Sequence, residues 1–143
     1  MTGKRFVDSN ILVYAYDQNA PVKSKQAQII IEGLVKEGQG VISTQVLTEF
    51  FNVVTRKLKP SLPIPFALDR ARHFMDIFQV LGVTPDVLRE ACRGVEEYRL
   101  SFLDAQIWST AHKNGISVII SEDLADQAEI EGVKFINPFP PSA

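Results

Sequence analysis

The sequence predicts an α/β fold: a Rossmann-like central parallel β-sheet flanked by helices on both faces. Three observations carry that expectation. Short β-rich runs such as Val41-Ile42 and Ser117-Val-Ile-Ile120 alternate with longer stretches whose apolar residues recur at helical spacing. Strands separated by helices pair in parallel through right-handed crossovers, which lay helices over both faces. The 143 residues suit one domain, residues 1–143, with no internal repeat and no compositional shift that would mark a linker.

The elements follow in order. Arg5-Phe6-Val7 reads as a first strand that stops at Asp8. From Pro21 to about Glu37, Ala27, Ile30, Ile31 and Leu34 form one apolar stripe, and Gly38 and Gly40 end that helix. Val41-Ile42 is a short strand, and Val46, Leu47, Phe50, Val53 and Val54 mark a helix capped by Ser43 or Thr44. Pro60 to Pro65 carries three prolines in six residues and is a stiff connector, with Pro65 placed to open a helix along Ala67, Ala71, Phe74 and Phe78. Val80 to Val83 is a further strand. Thr84-Pro85 caps and starts a helix running to about Arg99, and another runs from about Leu103 to Lys113 before Asn114-Gly115. Ser117 to Ile120 is the clearest buried strand, Lys134 to Ile136 the last one, and Pro138 to Ala143 reads as a tail.

Composition narrows the function. Fifteen Lys and Arg against seventeen Asp and Glu leave a net charge of −2, with 45% hydrophobic and 22% charged residues. These values exclude a disordered acidic tail, a collagen-like repeat and a disulfide scaffold, and on bulk charge alone they argue against a nucleic-acid partner. The single cysteine, Cys92, cannot form an internal disulfide or a thiolate metal site. Set among Leu88, Ala91 and Val95, it reads as a buried small hydrophobe. Asp8, Asn10 and Asp17 interrupt the N-terminal apolar run, so no secretory signal is expected, and no apolar stretch approaches the roughly 20 residues of a membrane span. A cytoplasmic protein with no membrane partner is the expectation.

Four acids call for explanation. Asp8 follows the first strand and Asp123 follows the Val118 to Ile120 strand, so both fall at the carboxyl edge of the sheet, where ligands of such folds gather. Each also has a local explanation: Asp8 as a cap for the next segment, Asp123 as the cap of a turn with Asp126. Glu49 projects along the apolar face of Val46 and Val53, where a carboxylate is expensive unless it reaches water, is paired or meets a metal. Asp104 shares a face with Ile107, Trp108 and Ala111, and Ser101-Phe-Leu-Asp104 also matches a capping box. If the four converge, they repel one another unless cations neutralise them. Oxygen ligands without His or Cys favour Mg²⁺ or Mn²⁺, one or two ions, and metal-dependent hydrolysis of a phosphate ester.

The segments Phe6-Val-Asp8-Ser-Asn10-Ile-Leu, Ser43-Thr-Gln-Val-Leu-Thr-Glu49-Phe, Ser101-Phe-Leu-Asp104-Ala and Ile119-Ile-Ser121-Glu-Asp123-Leu, in that order, resemble the signature of PIN-domain ribonucleases. They are similar in particular to VapC-type toxins of bacterial toxin–antitoxin pairs. The resemblance extends through Glu131 to Phe139. It implies a PIN-like sheet, a divalent metal, endonucleolytic cleavage of RNA, a small antitoxin partner and a homodimer. Asp8, Glu49, Asp104 and Asp123 match the family's acidic quartet as catalytic and metal-binding residues. Asn10 and Ser121 match polar positions behind it, and Asp126 is grouped with them. Two positions depart from the pattern: Leu103 stands where many relatives carry Trp, and Gln127 or Ala128 where a glycine often follows the last acid.

Other residues receive plainer readings. Arg56, Lys57 and Lys59 form the densest basic cluster, suited either to an RNA backbone or to a helix C-terminus. Lys23, Lys25, Arg89, Arg93 and Arg99 read as ordinary surface, His73 as a solvated helix face, His112 as a helix-end cation and Trp108 as core. An aspartyl-phosphate phosphatase would need an acid where Asn10 stands, and a response-regulator receiver would need a lysine where Ser121 stands. A catalytically inactive protein- or RNA-binding domain is the remaining alternative, although all four acids are present. If those acids form one site, thirteen acids face fifteen bases elsewhere and the rest of the molecule is +2. The net charge then no longer argues against RNA.

Overall fold

The computed structural model describes residues 3–139. Strand β1 (Arg5–Val7) leads into a short helix α1 (Ser9–Tyr14) and then α2 (Pro21–Glu37). β2 (Gly40–Ser43) is followed by α3 (Thr44–Arg56) and α4 (Ile64–Ile77), and β3 (Gln79–Leu81) by α5 (Pro85–Tyr98) and α6 (Phe102–Lys113). β4 (Val118–Ile120), β5 (Glu129–Ile130) and β6 (Val133–Ile136) complete the chain. The sheet order is β3-β2-β1-β4-β6-β5, with every pair parallel except β5 with β6.

The chain steps outward from β1 to β2 and β3, then crosses back to β4 on the other side of β1. That reversal makes the β1/β4 boundary the topological switch point of the sheet. The ladders run past the strands here: the Asp8 N–H donates to the Ile120 carbonyl and the Ser121 N–H to the Ile136 carbonyl, both at 3.0 Å. Phe6, Val7, Ile11, Leu12, Val41, Ile42 and Ile119 are wholly buried around this boundary. The acids that follow β1 and β4 therefore stand on the best-anchored part of the molecule. No helix among the described residues is long and apolar enough to cross a membrane.

Most helix signals are used as read. Ser43, Thr84 and Ser101 accept from the third N–H beyond them, and Gly38 ends α2 in the left-handed region at φ 67°. Gly40, however, begins β2 rather than ending α2. Helix α1 and strand β5 carried no signal in the sequence, because six and two residues are too short to show a period.

Three expectations are corrected by packing. Cys92 is exposed: the buried line of α5 is Val87, Ala91 and Gly94, and Cys92 stands about 100° round the helix from Ala91. Phe139 is no loose tail residue; it is 6% exposed and its ring meets Tyr14 edge-on at 5.1 Å. The rest of the expected tail, residues 140–143, lies outside the described residues. Arg93, read as plain surface, ion-pairs with Glu90, Glu97 and Glu131.

Candidate active site

Asp8 is the innermost acid, 3% exposed. Its Oδ1 accepts from the Ser9 N–H at 2.7 Å, which caps α1. Its Oδ2 accepts from the Ser121 hydroxyl at 2.7 Å and from Asn10 Nδ2 at 3.5 Å. Burial pushes this carboxyl up to about 7; the charges of Asp123 and Glu49 add to the rise, and the bonds from Ser121 and Ser9 oppose it. Capping and site-building thus fall to different oxygens of one side chain.

Ser121 joins the two strand ends. While donating to Asp8, its Oγ accepts from Asn10 Nδ2 at 3.3 Å and from the Asp123 N–H at 3.1 Å. That last bond sets the turn carrying Asp123, a side chain that reaches solvent on its outer edge. The Asp123 carboxyl is nevertheless raised, first by burial of its inner edge and next by the Asp104 charge. Glu49, half-buried on α3, accepts from the Ser9 hydroxyl at 3.2 Å and from Gln45 Nε2 at 3.5 Å. Burial raises it too, with the charges of Asp123 and Asp104 contributing. Asp104 uses only its N–H for the helix cap, donating to Ser101 Oγ at 3.1 Å. Its carboxylate has no hydrogen-bond partner among the described residues.

Asp8, Glu49 and Asp123 therefore lie within reach of one another's charge at the switch point, the Asp104 charge reaches Glu49 and Asp123, and Asn10 and Ser121 stand directly behind Asp8. Asp126 does not join them. Its Oδ1 accepts from the Asn137 N–H at 2.9 Å and ties the loop to the end of β6. Of the basic cluster, Lys57 lines a cavity of about 280 Å³ beside Ser9, Asn10, Tyr14 and Glu122, whereas exposed Arg56 and Lys59 do not.

Ser9, Gln45 and Lys23 had no site role in the sequence reading. Ser9 stood in view between Asp8 and Asn10, but its link to Glu49 crosses 40 positions. Lys23 is a structural cation rather than plain surface: its Nζ lies 3.0 Å from Glu122, which also takes the Tyr14 hydroxyl. This trio holds the residue next to Asp123. The two departures from the family pattern also find places. Leu103 is 57% exposed at the mouth, and Gln127 takes the left-handed φ of 68° that a glycine would adopt without strain.

Among the described residues, no three Asp, Glu, His or Cys side chains already form an ion cage. The donor set nevertheless fits a hard divalent cation. Asn10 Oδ1 is buried with no hydrogen-bond partner, an acceptor left open beside Asp8 and Ser121. No lysine or arginine is among the largest influences on Asp8, Glu49 and Asp123. Mg²⁺ keeps several waters and takes only one or two carboxylates, so an open mouth suits it better than a closed cage.

A parallel sheet with its acids at the switch point defines a class, and the sequence model of the PIN domain matches residues 5–132. The chain belongs to the PIN domain family. Among solved structures it is similar to a toxin–antitoxin complex from Klebsiella pneumoniae, at 21% identity and a TM-score of 0.68 over 95% of this chain and 98% of that one. A DNA-bound VapBC from Salmonella typhimurium matches at 17% identity and a TM-score of 0.69, covering 95% and 98%. The sarcin–ricin loop cleaving toxin VapC20 of Mycobacterium tuberculosis matches at 18% identity and a TM-score of 0.59, covering 81% and 87%. At these identities the likeness is one of fold. No curated protein sequence matches the chain.

Proposed function

We propose that the protein is a divalent-metal-dependent endoribonuclease and the toxin member of a toxin–antitoxin pair. The observation that carries the reading is the meeting of Asp8, Glu49 and Asp123 at the sheet edge, where the charge of Asp104 reaches Glu49 and Asp123 and no lysine or arginine pairs with any of the three. Uncompensated carboxylates at a ligand crevice await a cation. Asp8, Asp104 and Asp123, with Glu49, would hold one or two Mg²⁺ or Mn²⁺ ions. When bound, such ions lower the pKa of a water, polarise the phosphate and stabilise the leaving oxygen.

The chain's own residues do the positioning. Ser121 and Asn10 fix the Asp8 carboxylate, Ser9 and Gln45 hold Glu49, and Ser101 sets the first turn that presents Asp104. Lys57, in the cavity lined by Ser9 and Asn10, would supply a cation for an RNA phosphate. The fold shared with toxin–antitoxin complexes supports a small antitoxin partner, and the proposal takes the protein as a homodimer in the cytoplasm.

Cleavage of RNA with Mg²⁺ or Mn²⁺, with and without chelator, tests the reading on wild type, Asp8→Ala and Asp104→Asn. Cleavage is expected only in the metal-loaded wild type. Cleavage that survives chelator and both substitutions sinks the acidic-site mechanism.

A further inference from the structure

A second cavity, of about 460 Å³, opens on the far side of Glu49 from Lys57, between α3 and α6. Its lining includes the amides Gln45, Asn52 and Gln106, the Thr48 hydroxyl and the apolar side chains of Val83 and Leu103. No lysine, arginine or histidine lines it, and its one charged group is the Glu49 carboxylate. A phosphate would be repelled there. A neutral, flat heterocycle with donors and acceptors on its edge would not.

We infer that this cavity receives a nucleobase of the RNA next to the bond being cut, with its edge read by Asn52 and Gln106. The inference rests on the nuclease reading and extends it to substrate selection. Side-chain amides present a donor and an acceptor together, the pairing that base edges offer in return. Their capacity is open. Neither the exposed Asn52 nor the half-buried Gln106 side chain has a hydrogen-bond partner among the described residues. Gln45 is held in place by donating to the Leu103 carbonyl at 3.1 Å and to Glu49 at 3.5 Å, which fixes the wall of the cavity next to them. Leu103 and Val83 offer apolar walls to the base faces.

The layout also fits the polarity of a nucleotide. The contact between Ser9 Oγ and Glu49, 3.2 Å long, separates this cavity from the one lined by Lys57. A strand crossing the acids would place a base on the amide side and a phosphate on the lysine side. Base contacts specify and phosphate contacts position.

The test is cleavage of a random-sequence RNA pool with Mn²⁺, the cut ends sequenced, for wild type, the Asn52→Ala/Gln106→Ala double variant and Lys57→Ala. Wild type is expected to prefer one base at a nucleotide flanking the cut. The double variant should lose that preference by tenfold or more, whereas Lys57→Ala should slow all sequences alike. Thermal melting confirms that the variants are folded. A wild-type preference that the double variant retains, or a wild type that cuts with no flanking preference, overturns the inference and leaves the nuclease reading standing. A double variant that changes the sedimentation of the protein but not its preference assigns the cavity to a contact between copies and overturns it too. A wild type that cuts no RNA removes both.

Discussion

Two carboxylate clusters in this protein sit in opposite electrostatic states. At the sheet edge Asp8 is raised to about 7, with Glu49 and Asp123 raised beside it. Across α5 and α6, Glu131 is lowered to about 2, first by Arg93 and next by Tyr98, and Glu90 is lowered by Arg93 and His112. Arg93 takes both oxygens of Glu90 at 2.9 and 3.0 Å and both of Glu131 at 2.7 and 2.9 Å. Its guanidinium lies 5.5 Å from the centre of the Trp108 ring, on which His112 stacks at 5.0 Å. Where acids serve the fold, the chain supplies their counter-charge. At the sheet edge Asp8, Glu49 and Asp123 take hydrogen bonds for orientation and no ion pair with a lysine or arginine, and that asymmetry separates a staple from a site.

The contrast breaks most visibly in activity. Asp8→Ala or Asp104→Asn should lower single-turnover RNA cleavage by about a thousandfold, near 4 kcal/mol of transition-state stabilisation. Arg93→Ala should leave cleavage within about threefold, while melting at a lower temperature, because a staple does not touch the reacting atoms.

Stability against pH sharpens it further. A proton binds the folded Asp8 more tightly than the unfolded one, so its contribution is full below 3.8 and fades as pH rises through about 7. Metal-free protein should therefore gain stability on acidification from pH 8 to pH 5. Asp8→Asn should abolish most of that gain and stabilise the metal-free fold at pH 8 by up to about 4 kcal/mol, read by denaturant titration. Glu131 acts in the opposite sense: its contribution is present above 4.5 and is lost as pH falls through about 2. Arg93→Ala should accordingly blunt the loss of stability below pH 4 and leave the slope near neutrality unchanged.

Packing gives a smaller effect. A Cβ at Gly94 would lie 3.0 Å from the Trp108 ring, which is wholly buried and hydrogen-bonded to the Ile130 carbonyl. Overpacking of about 1–3 kcal/mol outweighs the roughly 1 kcal/mol of helix propensity gained, so Gly94→Ala should destabilise by about 1 kcal/mol. The smallest change lies in the loop joining the two clusters. Gln127→Gly should stabilise by only about 0.5 kcal/mol, because relief of its positive φ is partly offset by the extra freedom glycine gives the unfolded chain. A loss of stability there would show that Gln127 contributes contacts outweighing that strain.

The sequence made the long elements legible because their periods and caps are local. Ser43, Thr84 and Ser101 announce helices within three residues, and the apolar stripes of α2, α3 and α4 repeat often enough to be read. Asp8, Glu49, Asp104 and Asp123 were legible for a related reason: strand ends and apolar helix faces are places where a carboxylate needs a cause. The pairings of Lys23 with Glu122 and of Arg93 with Glu131 were not legible, since they span 99 and 38 positions. Asp126 looked like a member of the site because spacing cannot show which way a loop side chain turns.

By itself, then, the chain determined the alternation of strands and helices, the acids at strand ends and the family they resemble, all properties of local pattern and order. Tertiary structure decided which charges are answered and which are left open. Coulomb forces and desolvation depend on distance and burial, and both arise only when β1 and β4 pair and bring residues more than a hundred positions apart within a hydrogen bond of each other.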